Sequence, residues 1–150
     1  QAFPQIIQAS DFHCVEGWSV KDIQWGGIRF TEIAKAVKPK QEARYVVFHS
    51  LGKTQELGQG IDHYVESLPL EKLLDPAKKC LLALAVDGKP LSFDRGSPIR
   101  VVSPYDLGYK GSKYVTRIVF SAEQASGWWT RANPIYPVDA PVPINRLKGR

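Results

Sequence analysis

At 150 residues with 43% hydrophobic content, the chain fits one globular domain with a real core. Twenty Lys and Arg against fifteen Asp and Glu leave a net charge of +5, but the charges are scattered rather than blocked. That argues against a nucleic acid partner and leaves an acidic lipid or a small anionic ligand to use the cations locally. The longest apolar run, residues 80 to 86, falls far short of the ~20 residues that a membrane-spanning helix needs.

In chain order, Ile6-Ile7-Gln8-Ala9-Ser10 reads as the end of a strand, and Cys14 follows on the loop that leaves it. Trp25-Gly26-Gly27 reads as a turn. Phe30, Ile33, Ala34 and Val37 then give the i, i+3, i+4, i+7 pattern of a short amphipathic helix, with Thr31 as its N-cap and Pro39 just past its end. Residues 44 to 50 are rich in β-branched and aromatic side chains and predict a buried strand. The polar segment 51 to 60 turns the chain, and residues 62 to 67 return as a weaker strand. Pro69 suits the first turn of a helix over residues 70 to 74, stopped before Pro76. Residues 80 to 86 are the strongest strand, followed by the hairpin signal Asp87-Gly88. Residues 99 to 102 and 114 to 120 are two more strands, with a glycine- and lysine-bearing loop, 105 to 113, between them.

After Gly127 the chain carries Pro134, Pro137, Pro141 and Pro143 with no periodicity, so residues 131 to 150 read as an extended tail on a domain of residues 1 to 130. There is no internal repeat, and the sum is an α+β domain, sheet-dominated, with short flanking helices. The chain contains no methionine and begins at Gln1, so it reads as processed, cleaved or a fragment. Removal of an export signal is one such route, and it favours a periplasmic or other extracytoplasmic location.

The two cysteines differ in setting. Cys80 opens the apolar run and reads as a buried strand residue, so no disulfide is expected. Cys14 sits among polar and glycine residues, where a thiolate finds donors and cations to hold its charge. There is no HExxH, CxxC or GxSxG pattern to point to zinc hydrolysis, thiol exchange or serine hydrolysis.

The run Asp11-Phe12-His13-Cys14-Val15-Glu16-Gly17-Trp18-Ser19, followed by Trp25-Gly26-Gly27, resembles the molybdenum-binding loop of the sulfite oxidase-type molybdopterin oxidoreductases. The resemblance continues through Tyr45-Val46-Val47-Phe48-His49-Ser50, Tyr64-Val65-Glu66-Ser67-Leu68-Pro69-Leu70, Gly96-Ser97-Pro98-Ile99-Arg100-Val101-Val102 and Gly108-Tyr109-Lys110-Gly111-Ser112-Lys113, spanning residues 4 to 130 in order. It implies a mixed α+β fold built around sheets and a molybdenum-molybdopterin cofactor with Cys14 as metal ligand. A soft thiolate suits a metal already held by sulfur donors.

By the same resemblance, Arg100 meets the pterin or its phosphate, a task suited to the planar fork of a guanidinium, and Gly111, Ser112 and Lys113 hold the phosphate. That loop has the composition of an anion-binding turn, although it is not a Walker A loop. Beside these stand the plainer readings of a solvated strand-edge arginine and a basic hairpin tip. Arg95 stands where the family more often has histidine or asparagine. His13 either donates into the site or packs against Trp18. His49 and Ser50 end a strand that resembles a pocket-lining one, while a satisfied strand-end histidine is the alternative for His49. His63 reads as a surface residue. Tyr105 and Tyr109 are candidates for a substrate-side hydroxyl or for packing. Trp128-Trp129 reads as pinning the tail.

The function implied is two-electron oxygen-atom transfer on a small-molecule substrate, with an electron-transfer partner such as a cytochrome. Arg100 and Lys113 are committed to the phosphate, leaving Arg95, His13 or His49 as spare cations, so a neutral S- or N-oxide is favoured over sulfite, a small dianion. A non-catalytic binding domain of the same fold is the alternative from another class, because relatives carry a further segment ahead of the metal loop.

Overall fold

The computed structural model describes residues 2–54 and 61–147, so part of the turn expected over 51 to 60 lies outside the described residues. Two antiparallel sheets form the frame. The first runs β1 (Ile6–His13), β2 (Ser19–Arg29), β5 (Leu81–Val86), β6 (Lys89–Pro90), with β7 (Arg100–Val102) pairing with β5 as well. The second is β4 (Val65–Pro69), β3 (Tyr45–Ser50), β8 (Val115–Ser121). Helices α1 (Phe30–Val37) and α2 (Leu70–Leu74) flank them, as the apolar spacing and Pro69 predict. Among the described residues no helix is long and apolar enough to cross a membrane.

The apolar run at residues 80 to 86 is continuous because β5 is buried on both faces. Leu82 joins Phe30, Val46, Phe48, Leu68 and Val101 in the core between the sheets and helices. Leu81 and Ala83, pointing the other way, join Ile23, Trp25 and Val102 in a second core. The hairpin after β5 turns at Asp87 and Gly88, both at positive φ, 50° and 74°, as the Asp-Gly pair predicts. Cys14 and Cys80 are both free, and burial pushes the Cys80 thiol up to about 11.

Three local expectations are corrected, and the extended tail is a fourth. Trp25-Gly26-Gly27 is no turn but the inner part of β2. The glycine answers to a neighbour instead: a Cβ on Gly27 would stand 2.1 Å from the Leu82 carbonyl oxygen, at a bulge in the β2–β5 ladder. Thr31 does not cap α1, because the helix already starts at Phe30 and Arg29 holds the N-cap position with no side-chain bond. The second-sheet strand expected over 62 to 67 begins only at Val65 and runs to Pro69.

The C-terminal segment is not wholly extended. It contains α3 (Trp128–Ala132) and α4 (Ile144–Leu147), each too short to show a periodicity. Between them Ala140 and Val142 are buried. Backbone bonds from Leu107 N to Ala140 O (2.8 Å) and from Val142 N to Tyr105 O (2.9 Å) zip this segment onto the loop after β7. The tryptophans do pin its start: Trp128 and Trp129 pack on Tyr64 at 4.8 and 5.9 Å between ring centroids.

Candidate functional site

A cavity of about 320 Å³ opens where the two sheets meet. The end of β1 contributes Phe12, the end of β3 Ser50, the start of β4 Glu66, and the start of β7 Arg100. The loop before β8 adds Tyr109, Gly111, Ser112 and Lys113, and is held in place by a bond from Val101 N to Ser112 O (2.8 Å). A second recess of about 260 Å³ shares Phe12, Arg100 and Lys113 with the first and adds Trp18, Asp94 and Arg95. Phe12 stands against both recesses. Its ring lies flush on Gly108, where an added Cβ would come within 2.2 Å.

Arg100 is the centre of this arrangement. It is only 6% exposed, and its Nη1 donates to the Arg95 carbonyl at 3.2 Å. Its Nε has no partner, and no carboxylate among the described residues pairs with it. Its guanidinium lies 5.0 Å from the Trp25 ring centre and 6.0 Å from that of Phe12. Such contacts recover only about 2 kcal/mol at best, less than the several kcal/mol that burying a charge costs. Burial, with the nearby Arg95 charge, lowers its pKa to about 10.

Lys113 is pulled the same way, first by burial, then by Arg100 and Arg95, with Asp94 opposing. Its Nζ donates to the Asp94 carbonyl at 2.6 Å, and its stem packs on Gly96, which has φ 102° and no room for a Cβ. Gly111 brings the backbone close: a Cβ there would sit 2.9 Å from Val101 O. Ser112 is buried, and the buried hydroxyl of Ser50 has no partner.

The set fits a phosphate-bearing cofactor. A buried guanidinium with an idle N–H, a second cation, an orphan hydroxyl and a glycine-cleared approach are what a phosphate requires. Arg100, Lys113, Ser112, Gly111 and Ser50, all named from the sequence, are thus brought together. Arg95 joins them at the second recess, more than half exposed and 4.0 Å from Asp94.

Cys14 is half-buried in a tight turn in which its N–H donates to Trp18 O (2.9 Å) and its carbonyl accepts from Gly17 N (3.1 Å). It does not itself line either recess; its loop reaches them through Trp18, which packs on Phe12 with ring centroids 5.7 Å apart. Phe12, not His13, is therefore the packing partner of Trp18. His13 lies on the opposite face of β1, buried, with Nδ1 2.8 Å from Ser19 Oγ. His49 is likewise turned away from the cavity. Its Nδ1 meets His63 Nε2 at 2.9 Å, and His63 in turn meets Asp62 at 3.1 Å, so His63 is partnered rather than a free surface residue. Burial, then the His63 and Arg117 charges, lower the His49 pKa. The Tyr109 ring lines the cavity but its hydroxyl donates to Pro137 O at 2.6 Å. Tyr105 lines neither recess and lies beneath Lys78.

Sequence reasoning missed the wall facing Arg100. Glu66 is buried there and forms an ion pair with Lys110, itself 1% exposed. Burial raises the Glu66 pKa to about 7 against the pull of Lys110. Gly127 fits tightly on the same carboxylate, since a Cβ there would overlap Glu66 Oε1. The available signal was a single charged residue inside the short strand β4. Tyr64 and Trp129 complete this wall.

The oxidoreductase molybdopterin binding domain matches residues 1–129. The uncharacterized oxidoreductase YuiH of Bacillus subtilis is 37% identical over 131 residues, which is 87% of this chain and 60% of YuiH. The chain thus spans less than two thirds of that relative. The sulfane dehydrogenase SoxCD from Paracoccus pantotrophus superposes with a TM-score of 0.68 at 18% identity, over 83% of this chain and 33% of that one, a likeness of fold.

Proposed function

The chain belongs to the oxidoreductase molybdopterin binding domain family, and on that premise we propose that it serves an oxidoreductase in which a neutral S- or N-oxide is reduced by two-electron oxygen-atom transfer. Two electrons and two protons convert the oxide to its parent compound and water. When bound, the molybdenum-molybdopterin cofactor supplies the oxygen-atom exchange and the electron pair. Cys14 would be the protein's ligand to the metal, and Arg100, Lys113, Ser112 and Gly111 would hold the phosphate. An electron-transfer protein such as a cytochrome would deliver the electrons.

The observation that carries the substrate class is the charge of the cavity wall. The cations lining it among the described residues are Arg100 and Lys113, and the remaining charged group is a carboxylate, Glu66. With the phosphate on the two cations, a dianion would find no further cation among these lining residues, only Glu66, already paired with Lys110, and the rings of Tyr64, Tyr109 and Trp129. A neutral oxide meets no such penalty. One observation favours sulfite oxidation as a second reading: Arg95 adds a third cation at the recess beside Trp18.

The test compares turnover of methionine sulfoxide with a reduced dye against turnover of sulfite with cytochrome c. Faster sulfoxide turnover supports the proposal. Efficient sulfite turnover that weakens steeply with added salt, as an exposed anion site would, overturns the substrate class. Molybdenum content near one per chain is expected in protein from its native host, and Cys14→Ser should lose activity with the fold intact. Absence of both metal and pterin would favour a non-catalytic binding domain.

A further inference from the structure

The C-terminal segment beyond the family match touches both loops of the site. At one end it is zipped onto the root of the phosphate-side loop by the Leu107–Ala140 and Val142–Tyr105 backbone bonds, the Asp106–Pro141 bridge and the Tyr109 hydroxyl on Pro137 O. At the other end, the guanidinium of Arg146 on α4 reaches the thiol loop. Nη1 donates to Cys14 O at 2.8 Å, and Nη2 donates to Trp18 O at 2.7 Å and Ser19 Oγ at 2.9 Å.

These acceptors are the two ends of one turn. Cys14 O already accepts from Gly17, and Trp18 O from Cys14 N, so a single planar group brackets the turn across both of its closing carbonyls. Guanidinium geometry suits this; a lysine ammonium offers only a point charge. Ser19 Oγ also meets His13, so both neighbours of the turn are held. No carboxylate among the described residues is paired with Arg146.

We infer that Arg146 is a positioning residue: the C-terminal arm clamps the Cys14 turn in the geometry for metal ligation and fixes its distance to the phosphate-side loop. This rests on the reading of Cys14 as a molybdenum ligand, but the clamp itself is testable without metal. In the cofactor-free protein, Arg146→Ala should raise hydrogen exchange at the Cys14 and Gly17 amides and, compared at matched thiolate fraction because losing the cation also disfavours a thiolate, Cys14 alkylation by iodoacetamide, by roughly tenfold, the scale of a lost charge-assisted bond. Arg146→Lys should restore part of this. Buried Cys80 should stay unreactive, reporting that the fold is intact. Unchanged exchange and alkylation in Arg146→Ala would overturn the clamp whatever the metal does.

In the molybdenum-loaded protein the Mo(V) electron paramagnetic resonance signal should change in Arg146→Ala and move back towards wild type in Arg146→Lys. A loosened turn with an identical signal would overturn the positioning role and leave only a structural one. Native protein lacking molybdenum would defeat the functional reading instead, while the exchange result would still stand.

Discussion

Arg100 and Lys110 are both buried cations beside one cavity, and they are solved in opposite ways. Lys110 has its acid: Glu66 lies against it and both are almost fully buried. Among the described residues Arg100 has two aromatic rings, one carbonyl, an idle Nε and no acid. A buried ion pair is complete within the chain, so it fixes structure. A buried cation without an anion is incomplete within the chain, which is the ground for the anion site proposed at Arg100.

The largest effect should come from breaking the complete pair. At a pH above the Glu66 value of about 7, Lys110→Met takes the partner from an ionised Glu66 in the core, and a loss of roughly 3–5 kcal/mol is expected in urea unfolding. Pairing it with Glu66→Leu should recover most of that loss, because both charges are then gone. Arg100→Met is the converse. It removes an uncompensated charge, so the cofactor-free protein should keep its stability to within about 1 kcal/mol, while cofactor retention falls by about tenfold or more. Equal destabilisation by the two changes would show that Arg100 is already paired within the fold.

How much of this was legible follows from the range of each interaction. The helix at Phe30, the strand after Cys80 and the Asp87-Gly88 hairpin are set by neighbours along the chain, so spacing revealed them. Gly27 was misread because its reason is the Leu82 carbonyl on another strand; locally a Trp-Gly-Gly run looks like a turn. The residues proposed to hold the phosphate, which line one cavity, were visible through motif resemblance. Glu66 with Lys110, and Arg146 with Cys14 at a separation of 132 residues, were not, because no local pattern encodes a partner so far away.

A smaller, pH-dependent effect sharpens the contrast from the side of the acid. Burial holds the Glu66 pKa near 7, above the ordinary 4.5, with Lys110 opposing. The folded protein therefore keeps this proton where the unfolded chain has released it. The contribution to stability is fully present below about 4.5 and is lost as pH rises through about 7. Melting temperature measured across this window should fall with pH by more in the wild type than in Glu66→Gln, which has no proton to lose. Parallel curves would mean that Glu66 stays ionised throughout and that the pair is intact even in mild acid.

The smallest effect compares two serines as Arg100 and Lys110 compare two cations. Ser67, in β4, donates from its hydroxyl to Ala125 O at 2.7 Å, whereas the Ser50 hydroxyl at the end of β3, also buried, lines the cavity with no partner among the described residues. Ser67→Ala breaks a made bond and should cost about 1 kcal/mol of stability without touching cofactor retention. Ser50→Ala removes a hydroxyl that the fold does not use, so the cofactor-free protein should stay within about 0.5 kcal/mol of wild type. If the hydroxyl instead completes the phosphate site with Arg100, the same change should weaken cofactor retention several-fold, on the order of one net hydrogen bond. Measuring both quantities on both variants separates the roles. A Ser50→Ala protein that is less stable yet binds cofactor as before would place the hydroxyl in the fold rather than in the site.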